Sequence, residues 1–218
     1  MKTNKIDELD ILLSSSQASN DWLQERKGFI TASEFWKLLV SPKAKIDKEE
    51  GNMSETAKTY LNTKRMELMN VSLPILDTKE TRWGTENEID AFYKLCETYE
   101  IRNCGFVKSG LVQNLGASPD GYNDEYIFEI KCPYNSLNHL ENLDLNAETF
   151  KKKRWEYYVQ MQIQMFCMEL SKGIFCSFDP RFPEGKQIKT IEIEQDEEFI
   201  AIIYNKMEQV NKLLYENT

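Results

Sequence analysis

Gly116-Ala117-Ser118-Pro119-Asp120-Gly121 and, shortly after it, Tyr126-Ile127-Phe128-Glu129-Ile130-Lys131 decide the reading of the fold. The second stretch alternates as a strand does, with Tyr126, Phe128 and Ile130 on one face and Ile127, Glu129 and Lys131 on the other. Pro119 and Gly121 set a bend before it. Asp120 therefore stands at the opposite end of a hairpin leading into the strand. The strand places Glu129 and Lys131 on one face, where Asp120 can join them.

Outward from this pair, the chain upstream reads as helical. Thr31-Ala32-Ser33-Glu34 has a capping-box pattern ahead of Phe35, Trp36, Leu38 and Leu39, and Ser41-Pro42 stops that helix. The charged stretch Lys43 to Gly51 reads as a mobile loop. A helix is expected from Ser54 to Met69, a turn at Pro74, and a helix from Thr81 to Tyr99 whose Glu88, Phe92, Leu95, Cys96 and Tyr99 share a face. Downstream, Gly105 to Gln113 reads as a strand and Asn135 to Asn146 as a polar loop. A long helix over Ala147 to Leu170 follows, with Val159, Ile163, Phe166 and Leu170 as its core stripe and Met161, Met165 and Met168 as packing. Strands at Ile174 to Phe178 and Gln187 to Glu194 and a helix at Glu197 to Leu213 complete the chain. This order predicts an α/β protein: a central mixed sheet flanked by helices, with a mostly helical part over 1–100 and the sheet core over 101–218 of a single domain.

The 218 residues are 41% hydrophobic and 29% charged, an ordinary globular balance. With 27 basic and 36 acidic residues the formal charge is -9, which does not advertise a general binder of nucleic acid or of acidic membranes. A nucleic-acid substrate would need a locally focused positive charge or recruited cations. Five cysteines without a CxxC pair argue against a disulfide framework or a thiolate metal cluster and for a reducing cytosol. The opening Met1-Lys2-Thr3-Asn4 lacks an apolar core, and no window approaches a membrane span, so neither secretion nor membrane insertion is expected. His139 is the single histidine and sits in a polar stretch, so neither a histidine-ligated zinc site nor a Ser-His-Asp triad can be assembled.

Converging carboxylates can hold a hard divalent cation such as Mg²⁺. A lysine beside them can orient water or neutralise charge developing on a phosphate, the parts that phosphodiester hydrolysis requires. From spacing alone, Glu129 and Lys131 also fit a solvated strand face with a cross-strand pair. Glu88 adds a carboxylate to an otherwise apolar helix face. A metal cluster explains it, as would a partner such as Arg82 or a capping box with Thr85. Lys151-Lys152-Lys153-Arg154, followed by Trp155, is a short basic patch with an aromatic neighbour. It reads either as a nucleic-acid backbone contact or as a solvated helix end. Tyr157, Gln160 and Gln164 fall at i, i+3, i+7, a shared polar helix face.

These residues carry a resemblance. The stretch Trp22-Leu23-Gln24-Glu25-Arg26-Lys27-Gly28-Phe29-Ile30-Thr31-Ala32-Ser33 resembles the opening motif of the phage lambda exonuclease and YqaJ-type viral recombinase family. Gly84 to Ala91 resembles its glutamate-bearing helix. Gly116 to Gly121 and Phe128 to Pro133 resemble its paired active-site strands, and Tyr157 to Gln162 its tyrosine–glutamine helix. The matches keep the family's order and cover residues 20 to 180. The resemblance implies a restriction-endonuclease-like PD-(D/E)xK core and a Mg²⁺-dependent 5'→3' exodeoxyribonuclease, with Mn²⁺ as an alternative and two ions per site. It implies that Asp120, Glu129 and the carbonyl of Ile130 ligate metal, with Glu88 supporting the second ion and Lys131 positioning the water. Arg26 and Ser33 would form the phosphate pocket, Tyr157 and Gln160 would line the cleft, and Lys151, Lys152, Lys153 and Arg154 would be the best candidates for DNA contact. Double-stranded DNA ends as substrate, a ring-shaped trimer, a single-strand annealing protein as partner, and a phage or prophage origin in a bacterial cytoplasm belong to the same implication. A monomeric structure-specific nuclease of this fold and a non-catalytic DNA-binding or packaging protein are the alternatives.

Overall fold

The computed structural model describes residues 20–49, 51–71, 74 and 77–214. The stretch beginning Met1-Lys2-Thr3-Asn4 and the immediate neighbours of Pro74 lie outside them. In chain order the helices are α1 (Asn20–Glu25), α2 (Trp36–Leu39), α3 (Lys45–Glu49), α4 (Glu55–Leu68), α5 (Lys79–Cys96), α6 (Ser136–Leu143), α7 (Ala147–Lys153), α8 (Trp155–Met168) and α9 (Glu197–Leu214). The strands are β1 (Ile30–Thr31), β2 (Val107–Lys108), β3 (Leu115–Ala117), β4 (Gly121–Tyr122), β5 (Tyr126–Lys131), β6 (Lys172–Phe178) and β7 (Ile188–Glu194).

The strands form two mixed sheets. One has the order β4-β5-β6-β7, with β5 and β6 parallel and both edges antiparallel. A parallel pair needs a long crossover, and α6, α7 and α8 supply it. The smaller sheet has the order β1-β3-β2, with β1 parallel to β3 and Thr31 opposite Gly116. This pairing brings the N-terminal motif beside Ser118–Asp120. Together the sheets and their flanking helices are the restriction-endonuclease-like arrangement expected from the sequence.

The alternation in β5 splits the core. Phe128 and Ile130 pack with Ala91 and Leu95 of α5 and with Ile174, Cys176 and Phe178 of β6. Ile127 faces the other way, into a core shared with Val159, Met161, Ile163, Phe175 and α9. Every residue from Tyr158 to Cys167 of α8 is buried. A helix apolar or satisfied all round is an interior helix, and α8 runs between the four-stranded sheet on one side and the Ala32–Glu34 turn and β3 on the other.

Several local expectations are corrected. The helix expected over 147–170 breaks at Arg154, whose φ/ψ of -130°/48° is not helical, and it ends at Glu169 in the left-handed region. The expected polar loop at 135–146 contains α6, started by the Asn135 side chain accepting from Leu137 N. The charged 43–51 stretch contains α3. Thr31 makes no side-chain cap; Ala32–Glu34 is a 3-10 turn. Within 105–113 only Val107–Lys108 is strand. The helix bearing Glu88 starts earlier, with a Thr78–Thr81 capping box; Thr85 and Glu88 lie mid-helix and cap nothing. Cys96, assigned to its apolar face, is exposed. Among the described residues no helix is long and apolar enough to cross a membrane.

Candidate active site

A cleft of about 190 Å³ is lined by Arg26, Ser33, Glu88, Asp120, Glu129, Ile130, Lys131 and Gln160, together with Trp22, Thr31, Ser118 and Gln164. Six separate elements converge here. The α1–β1 turn brings Arg26, the 3-10 turn Ser33, α5 Glu88, the β3–β4 turn Asp120, β5 the Glu129–Lys131 pair, and α8 Gln160 and Gln164. The sheet-face reading of Glu129 as merely solvated is thereby set aside, because Glu129 is 1% exposed. Arg82 is not the partner of Glu88; it pairs with Asp77 at 3.3 Å.

Asp120 and Glu129 are held by donors. The Ile130 amide donates to Asp120 Oδ2 at 2.5 Å. Glu129 accepts from Lys131 Nζ, from Gln160 Nε2 at 2.7 Å and from Gln164 Nε2 at 2.5 Å. The charges nevertheless strain against one another. Burial, then Glu129 and Glu88, pushes the Asp120 carboxyl well above the usual range. Burial, then Glu129, likewise raises Glu88 against the opposing pull of Lys131. Burial by itself would lower Lys131, yet Glu129 and Asp120 outweigh it and hold the ammonium charged. Lys131 is thus a fixed cation and not a base at neutral pH.

Carboxylates that repel one another in a partly desolvated cleft suit a hard divalent cation. Two buried oxygens on residues that line the cleft, Thr31 Oγ1 and Gln164 Oε1, have no hydrogen-bond partner. Among the described residues no three carboxylate, imidazole or thiolate groups are already drawn into a closed metal-binding cluster; Lys131 and the Ile130 amide occupy positions on the oxygens instead. Asp120, Glu129 and Glu88 are the carboxylates that line the cleft.

Arg26 is presented by a braced turn. Its guanidinium lies 4.0 Å from the centre of the Trp22 ring, and Trp22 Nε1 donates to Ser118 Oγ at 2.9 Å. Gly28, with φ +78°, closes the turn; a Cβ there would stand 2.6 Å from Leu68 Cδ2. The Gly28 amide donates to Glu67 Oε2 at 2.9 Å, and Glu67 is held in turn by the buried Lys64 at 3.0 Å. Burial lowers Arg26, opposed by Glu34, Tyr60 and Glu67.

The other expected residues, Tyr157 and the basic run 151–154, are not part of the cleft lining. Tyr157 sits under Lys131 Nζ, 5.3 Å from the ring centre. Of the basic run, Lys151 pairs with Asp196 at 2.7 Å, Lys152 with Glu148 at 3.3 Å and Arg154 with Glu141 at 2.8 Å. Gln162 serves the scaffold: it donates to Glu194 O and accepts from Asp196 N. Trp83 is half-buried under the Arg181 guanidinium, 4.2 Å from its ring. His139 is buried, bonded to Ser177 Oγ and Lys186 O at 2.8 Å each. Gln164, Ser118, Trp22 and Thr31 join the cleft without having been singled out as site residues. The i, i+3, i+7 spacing points to Gln164, and the quoted motifs contain the other three.

A model of the YqaJ-like viral recombinase domain matches residues 21–171. The chain belongs to this family. Among solved structures it is similar to an alkaline exonuclease, LHK-Exo, from Laribacter hongkongensis, at 27% identity and a TM-score of 0.76 over 91% of this chain and 94% of that one. The same figures hold for LHK-Exo in complex with dAMP. A phage-related exonuclease from Haemophilus somnus shares the fold, with 19% identity and a TM-score of 0.66 over 87% of this chain and 96% of that one. No curated protein sequence matches the chain. Family and fold together support a nuclease activity for this YqaJ-like chain.

Proposed function

We propose that this YqaJ-like protein is a Mg²⁺-dependent exodeoxyribonuclease that hydrolyses linear duplex DNA from 5' ends, releasing 5'-mononucleotides and leaving single-stranded tails for recombination. The observation that carries the reading is the meeting of Glu88, Asp120, Glu129, Lys131 and Arg26 in one cleft. Asp120, Glu129 and Glu88, with the Ile130 carbonyl, would hold the cations, Mg²⁺ or Mn²⁺ and two per site. When bound, such ions neutralise charge on the phosphate and make water nucleophilic near neutral pH.

The protein's own groups supply the rest. Gln160 and Gln164 fix the carboxylate plane of Glu129, so its free lone pairs have one direction. The permanently charged Lys131 orients a water and offsets negative charge developing on the phosphate. Arg26, a planar fork on a braced turn, together with Ser33 takes the phosphate oxygens. Tyr157 supports Lys131 from below, Gln160 borders the strand, and Lys151–Arg154 extend the positive surface. The same reading makes the working form a ring-shaped trimer acting with a single-strand annealing protein. In such a ring only the lumen needs to be basic.

The test is release of acid-soluble nucleotide with Mg²⁺ from linear and from covalently closed duplex, with 5'-phosphate and 5'-hydroxyl ends compared. Release from linear DNA alone, faster from 5'-phosphate ends and lost in Lys131→Ala, is expected. Equal cutting of closed circles means an endonuclease, and an unchanged rate in Lys131→Ala removes the site assignment. A monomer by native mass at working concentration ends the ring proposal.

A further inference from the structure

A groove of about 900 Å³ runs between the end of α2 with the chain that follows it, α4 and α9. It shares no lining residue with the candidate active site. Its floor is apolar, with Leu38, Leu39, Met53, Leu61 and Leu213. Its charge is of one sign. Lys58 and Arg65 of α4 and Lys206 and Lys212 of α9 border it, and among the described residues no acid does. That runs against the composition of a chain with 36 acidic and 27 basic residues.

The four cations differ in what already holds them. Lys58 pairs with Glu55 at 2.8 Å and Lys212 with Glu208 at 2.6 Å, each within one turn of its own helix and exposed, pairs of a kind that contribute little. Arg65 donates to Leu213 O at 3.2 Å and to Asn62 Oδ1 at 3.3 Å. Lys206 donates to Gln209 Oε1 at 3.2 Å, and burial holds its ammonium below the usual range. Among the described residues neither Arg65 nor Lys206 has an acid against it. Partly desolvated cations over an apolar floor are complementary to an acidic amphipathic segment. Nucleic-acid phosphates would also answer the cations, but the described lining holds no aromatic side chain on which a base could stack.

The chain carries such a segment. Ile6-Asp7-Glu8-Leu9-Asp10-Ile11-Leu12-Leu13 precedes the YqaJ-like domain and lies outside the described residues. In the sequence Ile6, Leu9 and Leu13 fall at i, i+3, i+7, and Asp7, Glu8 and Asp10 stand off that row. The chain's path supports the match. The turn after α1 sits on the end of α4, where a Cβ at Gly28 would stand 2.6 Å from Leu68 Cδ2 and Lys27 Nζ donates to Asn70 Oδ1 at 3.0 Å. Leu61 and Arg65 lie within two turns of that end, about 10 Å along the helix. The seven steps from Leu13 to Asn20 extend up to about 25 Å. We propose that the groove is the docking site of residues 6–13 of the same chain, the apolar row on the leucine floor and the three acids among Lys58, Arg65, Lys206 and Lys212. So short a tether supplies the segment at an effective concentration of about millimolar, so a contact of modest affinity keeps the groove covered. The proposal does not depend on the nuclease reading.

The experiment is amide hydrogen exchange on the full chain, read by mass spectrometry over residues 1–19. Relative to intrinsic rates, the amides of 6–13 should exchange about tenfold more slowly than those of 14–19. Lys206→Glu should abolish the slowing, and so should the pair Asp7→Lys and Glu8→Lys, whose positions lie outside the described fold. Combining the pair with Lys206→Glu reverses the charge on both sides and should restore the slowing. A melting curve shows that each variant is folded, and the substitutions at 7 and 8 keep the test open if Lys206→Glu is not. Exchange of 6–13 at intrinsic rates overturns the proposal, and so does slowing that survives both the Lys206→Glu and the 7/8 substitutions. Slowing that persists on hundredfold dilution supports docking within one chain, and slowing lost on dilution overturns it in favour of a second copy. Unprotected 6–13 together with duplex affinity lowered by Lys206→Glu overturns it in favour of nucleic acid in the groove.

Discussion

Glu129 is nearly inaccessible to water and accepts from Lys131, Gln160 and Gln164, whereas Asp120 has the Ile130 amide and two carboxylates that oppose its ionisation. The two acids therefore respond differently to neutralisation. In Asp120→Asn the amide oxygen can still accept from Ile130 N while the repulsion from Glu129 and Glu88 disappears. Without divalent ions this variant should gain about 1 kcal/mol, a rise in melting temperature of roughly 2–4 °C, and it should lose DNA hydrolysis altogether. Calorimetric melting beside a nuclease assay checks both halves. A lower melting temperature would show that the carboxylates are not in conflict. Much of this site was legible from residue type and spacing: β5 alternates without interruption, and Arg26, Ser33 and Glu88 fall in motif stretches. The company of Glu129 was legible only in part: the i, i+3, i+7 spacing of Tyr157, Gln160 and Gln164 marks a shared polar face, but the burial of α8 on all sides, which turns that face onto Glu129, leaves no trace in the pattern.

The element that sequence patterning misreads is α6. A surface helix normally hides its apolar residues, yet here His139 and Asn142 are buried while Leu137 and Leu140 are 55% and 49% exposed. The polar residues are inside because Ser177 of β6 and Lys186 O satisfy them. A hydrophobicity pattern has no means of displaying that inversion. The break between α7 and α8 is equally hidden, because the Arg154 contacts that support it come from α6. Asp196 ties the neighbouring elements together. It accepts from the amides of Glu198 and Phe199 at the start of α9, from Lys151 on α7 and from Tyr158 on α8. The Lys151 ammonium, with Tyr158, holds the Asp196 carboxyl below the usual range. A depressed carboxylate stabilises the fold above its unfolded value, and that contribution is lost as pH falls through the lower folded value. Asp196→Asn should therefore be less stable than the parent at pH 7, and the gap should close below roughly pH 4. Urea titrations across that range measure it, and a gap that widens on acidification would contradict the clamp.

At the scale of the whole molecule, the sequence predicts one central sheet, and the chain builds two. Strands as short as β1 and β2 have too few residues to show alternation, so the second sheet exists only through its pairing with β3. That pairing delivers Arg26 and Ser33 to the cleft. The net charge of -9 restricts how DNA can be held. If Arg26, Lys152, Lys153 and Arg154 are the phosphate contacts, the slope of log affinity against log salt should be about -3 to -4 per subunit. Anisotropy titrations of duplex ends in Ca²⁺ would read it, and a slope near zero would exclude this basic surface as the contact. Catalytic apparatus is commonly carried by the least stable parts of an enzyme, but here the two glutamines that hold Glu129 ride on α8, buried from Tyr158 to Cys167. The strut around which the protein condenses is also the bench on which its chemistry is mounted. On warming, enzymatic power should vanish at the same midpoint as helical circular dichroism, with no crippled but still folded species in between.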